Sequence, residues 1–301
     1  MTQAETHATG WRGTEDGMRA FVAQFDTAEF RARIVERSGA APEAINARLD
    51  TYFSEMVFGY RFAAEHMPDR QLRILEVGAG LGLISSYLAT LGHDVVALEP
   101  ANQAFGIFEA TKQEIWERLG DAAPVLVERS AEEIAEAETG TFDFIFSVNV
   151  MEHIADIETA TAAILAVLRP GGVCANSCPN YWVPYEPHYG IPMVPFLHGL
   201  TRRLFAGRID PDPDTWETLN WINVGRVRRM AAANGATVRF APSLIYRTFQ
   251  RLGQDEEFTK RHQHTIVGRT YRFLRASGLL ALTRFIPVWL ATPMVFTYRK
   301  G

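Results

Sequence analysis

Cysteine is scarce, with Cys174 and Cys178 the only two in 301 residues. That is too few for a disulfide framework in a chain of this length, so a reducing cytoplasm is expected. Four positions apart in CANSC, both read as small buried residues on one face of a strand. Long apolar runs are missing as well. The most hydrophobic stretch, GLLALTRFIPVWLATPMVF, is broken by Arg284, Pro287 and Pro293, which argues against a membrane span. It leaves peripheral membrane contact open, beside the plainer reading of a buried helix followed by a strand. The start, MTQAETHATGWRGTEDGM, lacks the apolar core of a secretory signal. Positive charge is not in excess either: the formal charge is -5, which excludes a broad basic footprint for nucleic acid. The short clusters GRVRRM and LTRRLF read as solvated faces. Repeats and low-complexity segments are absent.

What remains is an ordinary globular composition, 47% hydrophobic and 22% charged. The length suits one large domain with insertions, or one domain and a smaller cap. Residues 1–70 read as a helical N-terminal arm or cap. In it, MRAFVAQFDTAEFRARIVER and INARLDTYFSEMVFGYRFAAEH space apolar residues three and four apart. From residue 71 the pattern changes to short apolar runs, LRILEV, HDVVALE, PVLVE, FDFIFSV and GGVCANSC. Helical patterns alternate with them, LISSYLATLG, NQAFGIFEATKQEIWERLG, SAEEIAEAE and DIETATAAILAVLRPGG. Such alternation predicts an α/β fold with a doubly wound, mostly parallel, seven-stranded Rossmann-like sheet covered on both faces. After Cys178 the rhythm breaks into the proline- and aromatic-rich PNYWVPYEPHYGIPMVPFLHG. The helix WINVGRVRRMAAANG and the strand ATVRFAPS follow, and TPMVFTYRK closes the chain as a strand. The core therefore spans 71–301 with insertions at about 181–220 and 244–285. The helices around Tyr52 to Phe62, the aromatic loop and the second insertion are expected to converge over the C-terminal strand edges, where such folds bind ligands.

LEVGAGLG places Gly78, Gly80 and Gly82 at alternate positions between a strand and a helix. Glycine there allows positive φ and brings ligand atoms against the backbone. The dinucleotide fingerprint G-x-G-x-x-G needs a third glycine where Leu83 stands, which argues against NAD. Glu76, two residues before the loop, suits a cationic amino group better than a pyrophosphate. Glu99, about twenty residues on, suits both ribose hydroxyls. Glycine loop, ribose acid and preceding carboxylate together describe S-adenosyl-L-methionine.

The chain resembles the class I S-adenosyl-L-methionine-dependent methyltransferases over residues 72–178. LEVGAGLG resembles their first motif and VVALEP their second. VERSAEEI resembles the segment lining the adenine, with Ser130 in place of its usual aspartate. FDFIFSVNVMEHIAD resembles the fourth-strand motif of the small-molecule branch, and LRPGG the turn before the fifth strand. The resemblance implies cofactor contacts from Glu76, Gly78, Ala79, Gly80, Leu81, Gly82, Glu99, Pro100, Ser130, Ala131, Asn149 and Val150. The alternative is a fold of this kind that binds the cofactor without catalysis, as a regulatory or scaffold protein.

For methyl transfer to oxygen, a base that removes the acceptor's proton is useful. His153, just past the fourth strand, is the first candidate for proton removal or positioning. His188 and Glu186, in PYEPHYG among Tyr181, Trp182, Tyr185 and Tyr189, are the loop-side alternative. His262 and His264 in RHQHT read as solvated. Glu152 with His153 lacks further metal ligands at compatible spacing, so no metal site is expected. The expected acceptor is a small, sugar-linked or lipid-linked molecule, methylated at oxygen, with nitrogen as the rival.

Overall fold

The computed structural model describes residues 10–100, 106–194, 196–211, 213–254, 259 and 266–301. His262 and His264 lie outside them.

Three helices come first: α1 (Glu15–Ala23), α2 (Ala28–Ser38) and α3 (Pro42–His66). The first predicted helical segment is thus two helices. The break falls where the Thr27 hydroxyl caps α2 by accepting the Phe30 N–H at 3.2 Å. The core then runs β1 (Arg73–Val77), α4 (Leu83–Thr90), β2 (Asp94–Leu98), α5 (Ile107–Leu119), β3 (Val125–Val127), β4 (Phe142–Val148), α6 (Ile157–Ala166) and β5 (Leu168–Cys178). A two-stranded hairpin, β6 (Tyr185–Glu186) with β7 (Ile191–Pro192), lies inside the segment expected to be irregular. After it come α7 (Val224–Ala233), β8 (Ala236–Phe240), α8 (Leu244–Leu252), α9 (Ile266–Ala276) and β9 (Met294–Lys300).

Seven strands form one sheet in the order β3-β2-β1-β4-β5-β9-β8. The first five are parallel, and β9 runs antiparallel between β5 and β8. The order reverses between β1 and β4, which opens a crevice at the carboxyl ends of those strands. Burial on both faces explains the near-continuous apolar strands. Ile74, Phe144, Phe146 and Val173 pack on one face with α1 to α5. Leu75, Ile145, Cys174 and Phe296 pack on the other with α6, α7 and the aromatic segment.

Two local expectations are corrected. SAEEIAEAE forms only the single helical turn Glu136–Thr139. Its start is instead a tight loop in which the Ser130 N–H and hydroxyl both donate to Glu133, at 3.1 and 3.0 Å. LRPGG is a bulge within β5 rather than a turn before it. The register jumps from Phe142↔Leu168 to Phe144↔Val173, and Gly171 takes φ +74°.

The expected three-part cap is corrected too. The helices α3 and α8 share one face of the sheet, joined by Arg247 to Glu65 at 2.7 Å and by Arg251 over the Phe58 ring. The aromatic segment, through Tyr181, Ile191, Met193 and Trp216, belongs to the opposite face. Alternate residues of a strand face opposite ways, so each segment had to follow the face its own anchoring strand offered.

Candidate active site

The crevice holds a cavity of about 480 Å³, floored by the glycine loop and walled by the ends of β1, β2 and β4. The loop is tied down because Gly78 and Ala79 N–H both donate to the Leu98 carbonyl, at 2.8 and 3.0 Å. Gly78 and Gly80 both have positive φ, but for different reasons. A Cβ on Gly78 would stand 2.4 Å from Val150, so this glycine lets the loop pack against the β4 turn. A Cβ on Gly80 would meet nothing closer than Phe108 at 3.8 Å. Its bare backbone faces the cavity, as close approach of a ligand requires.

The other loop positions act from beneath. Ala79 and Leu81 are buried, and the Leu81 carbonyl accepts from the Trp116 indole at 3.2 Å. A Cβ on Gly82 would stand 2.8 Å from that same Trp116. Glu76 is also buried below the loop. Its carboxylate accepts from the Ser85 N–H at 3.0 Å and the Ser85 hydroxyl at 2.5 Å, at the start of α4. Burial pushes its pKa up to about 8, against the pull of those two hydrogen bonds. None of these four lines the cavity.

Glu99, at the end of β2, does line it, and accepts the Gly80 N–H at 2.9 Å. Burial raises its pKa as well. Pro100, Ser130, Ala131, Asn149 and Val150 complete the wall, joined by Phe108, Glu132, Ile154 and Ala155, which sequence reasoning had not singled out. Asn149 adopts φ +55° as its N–H donates to the Ser177 carbonyl at 2.8 Å, turning the chain off β4.

A single 3-10 turn, Met151–His153, carries the cavity's far edge. Asn220 fixes it to the aromatic segment: its side-chain amide donates to the Met151 and Ile154 carbonyls at 2.6 and 2.8 Å. Of the candidates for chemistry, His153 lines the cavity. Burial, with His188 adding to it, lowers its pKa to about 4. The fold brings His188 beside it, ring centroids 5.1 Å apart. His188 Nδ1 donates to Glu186 Oε1 at 2.6 Å, and Glu186 also accepts the Tyr189 N–H at 2.8 Å. Glu152 faces this pair from the turn. It is fully buried, with neither carboxylate oxygen hydrogen-bonded, and Oε1 lies 3.8 Å from His188 Nε2. Burial raises its pKa to about 7. The sequence singles out all four groups, His153 and the His188–Glu186 pair for proton removal, and Glu152 only beside His153 as a metal pair not expected to bind. That Glu152 and His188, 36 positions apart, face one another is a fact of the fold alone. The aromatics of the loop form no wall here. Tyr181, Trp216 and Trp221 pack edge to face on one another, and none lines the cavity.

A second cavity of about 310 Å³ lies at the opposite end of the strands. Its histidine, His93, is held between the Leu72 N–H and the Trp11 carbonyl at 3.2 and 2.8 Å, which fits a structural role.

Residues 75–176 match a family model described as a methyltransferase domain. An uncharacterized protein of Mycobacterium tuberculosis strain H37Rv is 37% identical over 220 residues, which cover 69% of this chain and 74% of that protein. The mitochondrial ubiquinone biosynthesis O-methyltransferase of Bos taurus is 26% identical over 63% of this chain, which spans only 48% of its length. Among solved structures, an S-adenosylmethionine-dependent methyltransferase from Mesorhizobium loti aligns with TM-score 0.48 at 14% identity, covering 80% of this chain and 97% of that one. The methyltransferase match falls on the strands and loops that build the cavity. The chain belongs to the class I S-adenosyl-L-methionine-dependent methyltransferases.

Proposed function

We propose that this methyltransferase acts at oxygen, on a hydroxyl of a small, sugar-linked or lipid-linked acceptor. The observation that carries the reading is the cluster of Glu152, His153, His188 and Glu186 at the far edge of the cavity, opposite the glycine floor. The cavity suits a nucleoside-sized cofactor: bare glycine backbone at Gly80, a carboxylate at Glu99 for the ribose, and Ser130 and Ala131 beside the base. S-adenosyl-L-methionine supplies an activated methyl group on a sulfonium. The chain has to align the acceptor, exclude water and draw off a proton. His153 is neutral near pH 7, because burial holds its pKa low. It therefore accepts a hydrogen bond and orients the hydroxyl. His188, held by the buried Glu186 carboxylate, is built to stabilise positive charge that develops as the proton leaves. Glu76, buried beneath the floor and bonded to Ser85, braces the loop from below rather than meeting the cofactor's cationic end.

A lipid-linked acceptor has its own support. The second insertion exposes Phe273 at 66% and Phe285 at 68%, and the turn after it exposes Trp289 at 48%. Exposed Arg269, Arg275 and Arg284 stand among them, a mixture suited to an anionic bilayer surface. No helix among the described residues is long and apolar enough to cross a membrane. The free, buried Cys174 and Cys178 agree with a reducing cytoplasm.

The test is cofactor turnover with pools of hydroxylated acceptors, read by mass spectrometry as the gain of one methyl group on oxygen. Methylation only of amines would move the assignment to nitrogen. Cofactor binding without turnover on any pool would favour the non-catalytic reading.

A further inference from the structure

Glu152, His153 and His188 each offer one ligand atom, and these atoms lie within 4.8 Å of one another. We propose that they form a site for one divalent transition-metal ion, of the Zn²⁺ type, with its open position toward the cofactor cavity.

The hydrogen-bond partners fix which ring nitrogen of each histidine carries the lone pair. His188 Nδ1 sits 2.6 Å from Glu186 Oε1 and donates to it, so Nε2 carries the lone pair. His153 Nδ1 sits 2.8 Å from the Thr218 hydroxyl. That hydroxyl spends its own proton on the Thr215 carbonyl at 2.9 Å, so it accepts from Nδ1, and Nε2 again carries the lone pair. Metal-bound histidines show this arrangement, with the far nitrogen donating to a carboxylate or other oxygen that fixes the tautomer. The third donor is the Glu152 carboxylate, fully buried and without a hydrogen bond on either oxygen. A buried carboxylate in that condition is costly unless a cation or a proton meets it. Among the described residues no Arg or Lys pairs with Glu152 or Glu186; their ion-pair contacts are to His188. A dication satisfies the geometry and the charge together.

Two imidazoles and one carboxylate are a donor set of open, catalytic zinc sites, which keep a fourth position for water or substrate. Bonds of about 2.0–2.2 Å place such donors about 3.3–3.5 Å apart, so small side-chain rotations close this cluster on an ion. His153 lines the cavity, so the fourth position opens toward the acceptor.

The role of the ion rests on the O-methylation reading, and the bound ion then takes over the direct contacts to the hydroxyl and its proton that the two Nε2 atoms make without it. A hydroxyl bound at the open position loses its proton to solvent more readily, as metal-bound water does. The oxygen lone pair then forms the new C–O bond, while the C–S bond breaks with its electrons left on sulfur.

The test needs no acceptor. The full chain, stripped with a chelator, is titrated with Co²⁺ alone, followed by its visible absorption and by calorimetry. We expect one Co²⁺ per chain, displaced by Zn²⁺, with affinity reduced at least tenfold in Glu152→Gln and in His188→Gln. Glu186→Gln, one step removed, should lose about 10–100-fold. Retained binding of S-adenosylhomocysteine shows that each variant is folded. Failure of the wild-type chain to take up Co²⁺, or equal uptake by wild type and both ligand variants, overturns the site. Stoichiometric uptake in a protein that methylates no hydroxyl would sustain the site and reject the O-methylation reading.

Discussion

The two ends of the cavity are built by different means. At the proposed cofactor end, Gly78 and Gly80 of one short loop form the floor, and Glu99, which accepts the Gly80 N–H, stands at the end of the next strand. At the acceptor end, Glu152 and His153 come from the turn after β4. His188 and Glu186 come from a hairpin segment, and Thr218 and Asn220 from further on. The first end depends on backbone conformation, the second on side chains brought together across nearly seventy positions. On the proposed assignment, cofactor binding is a local property of the chain, whereas the chemistry belongs to the assembled fold. Changes at one end should therefore leave the other working.

The largest effect is expected at the acceptor end. His188→Ala should lower turnover by roughly two to four orders of magnitude, the usual contribution of acid–base assistance. Affinity for S-adenosylhomocysteine should stay unchanged by calorimetry. Parallel loss of cofactor binding would break the separation of the two ends.

Next comes the pH dependence of the ligand-free protein. Glu76 has a folded pKa of about 8 against an unfolded value near 4.5. Its contribution to stability is full below pH 4.5 and is lost as pH rises through 8, because the buried site resists the charge. Thermal unfolding of the wild type should therefore fall across that window relative to Glu76→Gln, by a few kcal/mol at most. Parallel curves for the two proteins would show that Glu76 is not penalised by its burial.

Glu99→Ala tests the converse of the first prediction. It should weaken S-adenosyl-L-methionine by about 1.5–3 kcal/mol, the range for hydrogen bonds to a charged group. Co²⁺ uptake at the histidine cluster should persist. An unchanged cofactor affinity would mean that the ribose is held elsewhere.

The smallest effect concerns the insertion outside both ends. Phe285→Ser with Phe273→Ser should reduce sedimentation with anionic phosphatidylglycerol vesicles several-fold, with no change in cofactor affinity. Equal sedimentation of wild type and double variant would remove the bilayer from the argument.

Much of the fold was legible because it rests on patterns local in sequence. Burial on both faces makes β1, β2 and β4 largely apolar, and glycines mark the loop whose bare backbone faces the cavity. Misreadings were local competitions that periodicity cannot resolve. The Thr27 cap split a helix, the Ser130 to Glu133 hydrogen bonds displaced another, and Gly171 turned LRPGG into a bulge. The family, the sheet and the glycine loop at the cavity floor were legible in the sequence alone, since strand periodicity and glycine φ freedom act within a few residues. Only the tertiary structure decided that Glu76 lies under the loop and that the aromatics fill the core. It also decided that Glu152, His153 and His188 share one pocket. These outcomes depend on which strand faces meet and which buried groups find partners, and sequence spacing carries no record of either.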